Sequence, residues 1–338
     1  MAEIKAFCAV RPRKDLADKI AALPYDVYSR SEAAELVKKN PCSFLKIDRP
    51  EVQFDQETDM YAPQVYQAAG DTLREMMEKG EFVQEETPCL YLYELTMDGR
   101  TQTGVCCCAS VADYENGVIK RHENTRPEKE EDRIRHVEAC GAQTGPIFLA
   151  CRRNQKLTEL EEREKKAVPI YSFTAEDGIR HQVWKIENEE TIRSICEIFE
   201  AMDSLYIADG HHRAASAVRV ARKRREKGIF RKDSAWRKKP EAEAFLSVIF
   251  PENELKGVGL QPLGERSERM FHRGISEPGG GEISYDTSSF GGSSKEERHV
   301  FHVSGRTGGT NWKKRRRKNP YRMRLESLDV SILQNEIC

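Results

Sequence analysis

Five consecutive residues, Asp209-Gly210-His211-His212-Arg213, bring a carboxylate, two imidazoles and a guanidinium to one bend of the chain. The apolar Tyr206-Ile207-Ala208 precedes them and Ala214-Ala215-Ser216-Ala217 follows, so the local reading is strand, tight turn, helix. A glycine at the bend admits a ligand close to the backbone, and the unpaired N–H groups of a helix start attract anions. With Arg213 alongside, the chemistry predicted is phosphate binding. Two plainer readings compete: Asp-Gly is a common turn dipeptide, and His-His-Arg also suits the solvated first turn of a surface helix. A metal site made of Asp209, His211 and His212 is disfavoured, because adjacent helical residues point about 100° apart.

The second reactive segment runs from Lys120 to Arg133 and contains His122, Glu123, Arg126 and Lys129. Dense alternating charge of this kind commonly makes a solvated helix laced with i,i+4 pairs. Glu123 precedes Pro127, however, where a loop gives way to a helix, and such rigidly supported loops carry chemistry. Phosphoryl transfer to a hydroxyl needs a carboxylate near the acceptor and cations near the transferred group. Glu123 can supply the first, and Arg126, Lys129 and Arg133 the second. A third segment, Pro24-Tyr25-Asp26-Val27 with Asn40-Pro41-Cys42-Ser43, reads locally as a turn and a helix stop.

Mixed α and β elements must position these groups. Ile4–Val10 alternates like a strand, a serine-capped helix starts at Ser31, and residues 58–79 form an amphipathic helix. Residues 88–112 and 170–186 read as hairpins turning at Asp98-Gly99 and Asp177-Gly178. Between them lie a charged helix over 127–140, a strand over 146–150 and a polar helix over 156–166. The fold class expected is α+β, a mixed sheet with hairpins and packed helices.

Composition narrows the partners. Basic and acidic residues nearly cancel, 55 against 56, so no global field draws the chain to nucleic acid or anionic lipid. No apolar run is long enough to span a bilayer and the start is charged, which predicts a cytoplasmic protein. Ten cysteines without a C-x-x-C pair read as buried thiols, and the Cys106-Cys107-Cys108 triplet sits in a strand-like stretch.

Several motifs occur in one order: Ile4-Lys5-Ala6-Phe7 with Arg11-Pro12, Pro24-Tyr25-Asp26-Val27, Asn40-Pro41 with Ser43-Phe44-Leu45, Lys120-Arg121-His122-Glu123 with Thr125-Arg126, Gly145-Pro146-Ile147-Phe148 and Ala208-Asp209-Gly210-His211-His212-Arg213. In these the chain resembles a large bacterial and archaeal domain-of-unknown-function family built around an Ala-Asp-Gly-His-His-Arg core. That core is similar to the nucleotide-binding turn of ParB and sulfiredoxin proteins, and to the Asp-Gly-His-His-Arg turn of free serine kinases. The resemblance implies a ParB/sulfiredoxin-like core that binds ATP or ADP with Mg²⁺ and moves a phosphoryl group to a small hydroxylated metabolite such as free serine. Its alternative is a nucleotide-dependent regulatory or clamp-like protein without turnover. By the same resemblance, Gly210, His211, His212, Arg213, Arg126, Lys129 and Arg133 hold the nucleotide. Glu123, Asp209 and His212 are the catalytic candidates, Asp209 is also the Mg²⁺ ligand, and Tyr25, Asp26, Asn40 and Ser43 face the substrate. The partners implied are nucleotide and small molecule, with a homodimer as the assembly, and neither nucleic acid nor membrane.

The organisation expected is an α/β core over 1–250 with its phosphate turn at 208–213, an irregular Gly/Ser-rich segment over 251–324, and a helix within 325–338, over 325–334. Twelve of the 22 glycines fall between 257 and 309, and departure from the family pattern begins near 228. Codons compatible with Val300–Arg306, read one base over, encode a family-like hairpin, so residues 257–320 are expected to be out of frame. The chain stops at Cys338, where members of the resembled family continue. The basic run 313–318, flanked by Trp312 and Tyr321, then needs no nucleic-acid role.

Overall fold

The computed structural model describes residues 1–228, 241–255 and 333–335, all of which belong to one unit of the chain. The strands are β1 (Ile4–Lys5), β2 (Ala9–Pro12), β3 (Phe82–Gln84), β4 (Leu90–Met97), β5 (Arg100–Ser110), β6 (Ile119–Lys120) and β7 (Ala142–Gln143). They continue with β8 (Ile147–Cys151), β9 (Tyr171–Thr174), β10 (Arg180–Ile186), β11 (Leu205–Asp209), β12 (Ala244–Pro251) and β13 (Leu333–Asn335). The α-helices are α1 (Ala17–Ile20), α2 (Arg30–Lys39), α3 (Leu45–Asp48), α4 (Pro63–Glu78), α5 (Val111–Glu115), α6 (Pro127–Cys140), α7 (Gln155–Glu164), α8 (Glu189–Glu200) and α9 (His211–Glu226).

The expected α+β class holds. A nine-stranded mixed sheet runs β6-β11-β8-β12-β5-β4-β10-β9, with β1 also on β5. The pairs β12–β8 and β11–β6 are parallel and the others antiparallel. Both predicted hairpins form. Asp98 and Gly99 have φ of +52° and +75°, the primed-turn geometry that matches strand twist.

Helices and loops cover both faces of this sheet, so its strands alternate between two apolar layers. Leu90, Leu92, Val105, Cys107, Phe245 and Ile249 join the layer under α5, α8 and α9. Tyr91, Tyr93, Cys106, Cys108, Leu246 and Val248 join the opposite one. The cysteine triplet therefore splits between two cores, and burial pushes the thiols of Cys106 and Cys107 upward. A second sheet, β3-β2-β13-β7, packs near a third cluster that includes Phe44, Ile47, Leu73 and Phe82.

Several expected boundaries shift. The single strand over Ile4–Val10 is two strands serving different sheets. The helix expected from Ser31 starts at Arg30, and its cap is Ser29, whose hydroxyl accepts from Glu32 N while the Glu32 carboxylate accepts from Ser29 N. The helix expected over 58–79 begins only at Pro63, where proline suits a first helical turn. The amphipathic α8 and the wholly buried β12 were not expected as elements. Of the helix expected over 325–334, Leu333 and Gln334 lie instead in β13, and the rest falls outside the described residues. The proposed out-of-frame segment 257–320 and the basic run 313–318 also lie outside them.

Two helix contacts set the site. α6 packs against both α4 and α9. A Cβ on Gly70 of α4 would collide with the Ala139 carbonyl of α6, so only glycine permits this approach.

Candidate functional site

β11 runs straight into α9 through one residue. Gly210 has φ +89°, ψ +29°, the left-handed region that glycine enters without penalty, and it caps α9 with no side chain of its own. A bulge in the β11–β8 pairing between Ile207 and Asp209 brings Asp209 opposite Phe148. Arg213, one turn on, donates to Asp209 Oδ2 at 2.9 Å and to the Pro146 carbonyl at 2.9 Å. The predicted strand–turn–helix is thus present, and the Gly145-Pro146 motif contributes an acceptor that orients the arginine.

Both histidines of the turn are short of partners. His211 is buried at 5 % exposure, and neither its Nε2 nor His212 Nδ1, both shielded from solvent, has a hydrogen-bond partner among the described residues. Burial lowers the pKa of His211, helped by His122; burial also lowers that of His212, helped by Lys129 and Arg126. The His122 ring meets the His211 ring edge-on at 4.5 Å. Glu123 Oε2 stands 3.8 Å from His211 Nδ1 with a side chain 66 % exposed. The two segments singled out by their chemistry, 120–133 and 209–213, therefore meet in space.

The connection between them is built. Thr125 donates its hydroxyl to Glu130, a buried carboxylate in the first turn of α6. Arg219 of α9 pairs with the other Glu130 oxygen at 2.9 Å, and Ser216 donates to the Glu130 carbonyl. Arg126 and Lys129 remain exposed at the rim.

Arg133 differs from these. It points inward at 8 % exposure, pairs with Asp132 at 2.9 Å and lies 4.1 Å over the Tyr25 ring. Tyr66 donates to the other Asp132 oxygen at 2.8 Å, tying α4 to the pair. Arg133 and Tyr25 line a cavity of about 30 Å³ together with Asp48, Thr144, Arg213 and Ser216. Asp48, at 4 % exposure, accepts the Thr144 hydroxyl at 2.7 Å. His136, also at the cavity, makes a 2.8 Å hydrogen bond through Nε2 to the Ile47 carbonyl, and burial lowers its pKa. Asp48, Thr144 and His136 carried no local signal: an acid at a short helix end, a threonine before glycine and a histidine in a charged helix are ordinary residues.

The other substrate candidates separate. Asp26 is exposed beside Tyr25. Asn40 donates to the Lys19 carbonyl at 2.5 Å, and Ser43 Oγ accepts from Leu45 N at 3.4 Å, so both brace the segment leading to Asp48 without lining the cavity. Arg49 donates to the Tyr25 and Tyr28 carbonyls and fixes the Tyr25 loop. No group of three or more His, Cys, Asp or Glu side chains among the described residues is arranged to hold a metal ion. Asp209, 43 % exposed at the edge of the turn, offers a single carboxylate, which suits a cation shared with phosphate oxygens better than an all-protein cage. No helix among the described residues is long and apolar enough to cross a membrane.

Fold and site define a mixed α+β protein whose distinguishing feature is a glycine-started, histidine- and arginine-bearing helix terminus above a small, mostly apolar cavity that Asp48 and Arg133 also line. The chain belongs to the family described as "Protein of unknown function (DUF1015)", which matches residues 4–331. The matched span runs past residue 228, where the family pattern was expected to end. No curated protein and no solved structure matches the chain.

Proposed function

We propose that the turn at Gly210 binds the phosphates of ATP or ADP, as in ParB- and sulfiredoxin-like cores, and that the protein transfers a phosphoryl group to a small hydroxylated metabolite. One observation carries this reading: two shielded imidazole nitrogens, on His211 and His212, lack partners among the described residues at a helix start whose cap has no side chain. A buried polar atom without a partner costs about 1–3 kcal/mol, and a bound phosphate oxygen removes that cost while satisfying the helix N–H groups. The exposed Arg126 and Lys129 extend positive charge along the rim for a second phosphate.

Arg213 and the N-terminal N–H groups of α9 stabilise charge on the transferred group. Its bond to the nucleotide oxygen breaks, its bond to the acceptor oxygen forms, and the hydroxyl proton passes to Glu123. Mg²⁺ at Asp209 supplies further neutralisation of the phosphate oxygens when bound.

The test is calorimetric titration with ATP and ADP, with and without Mg²⁺, followed by a search for phosphorylated product among hydroxylated amino acids. Saturable binding lost in His212→Ala, and product lost in Glu123→Gln with binding intact, are the expected results. Tight nucleotide binding with no product, unchanged by Glu123→Gln, favours the regulatory or clamp-like alternative. No binding of either nucleotide sinks both.

A further inference from the structure

The loop over residues 120–126 is fastened to the phosphate turn at both ends. At one end the His122 ring meets that of His211, and Glu123 approaches His211 Nδ1 at 3.8 Å. At the other, Thr125 donates its hydroxyl to the Glu130 carboxylate. Ser216 then bridges the first turns of α6 and α9, donating to the Glu130 carbonyl at 3.1 Å and to the His212 carbonyl at 2.6 Å. Thr125 is therefore a half-buried hydroxyl held between two points that touch the turn. Its proton is directed at a carboxylate, which leaves the oxygen lone pairs for nucleophilic attack. Glu130 is fixed for that task, since Arg219 pairs with its other oxygen at 2.9 Å and its side chain is 6 % exposed.

We propose that Thr125 is a site of self-phosphorylation, taking the γ-phosphoryl group of ATP bound at the Gly210 turn of the same chain. Thr125 Oγ1 attacks the γ-phosphorus, the bond to the ADP oxygen breaks as the Oγ1–P bond forms, the hydroxyl proton passes to Glu130, and ADP leaves. The proposal rests on nucleotide binding at the turn and needs no small acceptor. The same surroundings accommodate the product. α6 begins at Pro127 with Arg126 as its cap residue and no side-chain cap bond, so a phosphate on Thr125 meets open helix N–H groups beside Arg126 and Lys129. Glu130, which accepted the hydroxyl, repels the phosphate that replaces its hydrogen. The charges of Lys129, Glu130 and Arg126 all reach His212, so the tethered phosphate competes for the anion position there. Self-phosphorylation thereby closes the turn to free phosphate.

The experiment incubates the full chain, first treated with a phosphatase, with ATP and Mg²⁺ and maps added phosphoryl groups by tandem mass spectrometry, while calorimetry on the same preparation measures ATP binding. One phosphoryl group on Thr125 is expected, added at a rate independent of protein concentration. Thr125→Ser should keep the modification and Thr125→Val lose it. Glu130→Gln should slow it about a hundredfold with ATP still bound. If a variant fails to fold, the map on the unaltered protein still decides. The phosphorylated chain should no longer bind inorganic phosphate, and undiminished binding overturns the closure of the turn. ATP binding with no phosphoryl group on Thr125, or a rate that rises with protein concentration, overturns self-phosphorylation and leaves nucleotide binding standing. No ATP binding overturns both.

Discussion

The turn at Gly210 and the cavity below it use charge in opposite ways. The turn is made of neighbours in sequence, is partly open to solvent, and leaves His211 Nε2 and His212 Nδ1 without partners among the described residues. The cavity is assembled from residues as far apart as Tyr25, Asp48, Arg133, Thr144 and Arg213, and its buried acids and bases are held by specific partners. A local turn can present groups to a ligand because the backbone alone fixes them. A distributed pocket must instead be held by its network, so its side chains carry stability and recognition together.

The largest effect expected follows from that difference. Arg133→Met removes the cation between Asp132, Asp48 and the Tyr25 ring and leaves buried carboxylate uncompensated. Breaking one side of a buried pair costs about 3–5 kcal/mol. Urea unfolding should show a loss in this range, and a loss below about 1 kcal/mol would mean that the pair behaves like a surface one.

Gly210→Val attacks the turn and should spare the cavity. A β-branched residue at φ +89° carries about 1–3 kcal/mol of strain, and its Cβ would lie 3.2 Å from Arg213 Nε. Inorganic phosphate binding, read by calorimetry, should disappear, with a loss of stability no larger than that strain. A loss of stability as large as that of Arg133→Met would show that the two regions are one cooperative unit.

This contrast also governs what the sequence reveals. The turn is legible because its strand, glycine and helix signals are contiguous. α6 is legible to its ends, since Pro127 opens it and Gly141, at φ +65°, closes it. The inward course of Arg133 is not, because a dense run of charge looks the same whether one face is buried or all are solvated. Asp48 and Thr144 gain meaning only through a contact spanning 96 residues. The approach of Glu123 to His211 could be posed as a question from motifs, but its distance required the packing of α6 on α9 and the Thr125–Glu130 contact. Asn40 and Ser43 show the opposite error: a motif position near the site in sequence serves as a brace in the structure.

Protonation distinguishes the two regions next. Burial lowers the pKa of His136 at the cavity and of His211 and His212 at the turn below the ordinary 6.5. The unfolded chain therefore takes up protons first as pH falls through 6.5, and the stability present above it is lost progressively toward the folded values. A phosphate at the turn favours the imidazolium forms of His211 and His212 and leaves His136 unaffected. Binding at pH 7 should take up protons, measurable as a dependence of the calorimetric heat on buffer ionisation enthalpy. Phosphate affinity should rise as pH falls, by up to tenfold per unit for each histidine that titrates. Phosphate binding without proton uptake would place the anion away from both imidazoles.

The smallest effect tests whether the cavity wall is rigid. Ser29 caps α2 immediately after the Tyr25 loop and exchanges hydrogen bonds with Glu32 at 3.3 Å and 2.8 Å. Ser29→Ala should cost about 1 kcal/mol of stability, read as a modest fall in the melting midpoint. Arg49 holds the Tyr25 and Tyr28 carbonyls independently of that cap, so Arg133→Met should cost the same with and without Ser29→Ala, within about 0.5 kcal/mol. A larger coupling between the two substitutions would mean that the cap, and not Arg49, fixes Tyr25 over Arg133. The cavity would then depend on the same kind of short-range backbone signal as the turn, and the contrast between them would fail at this wall.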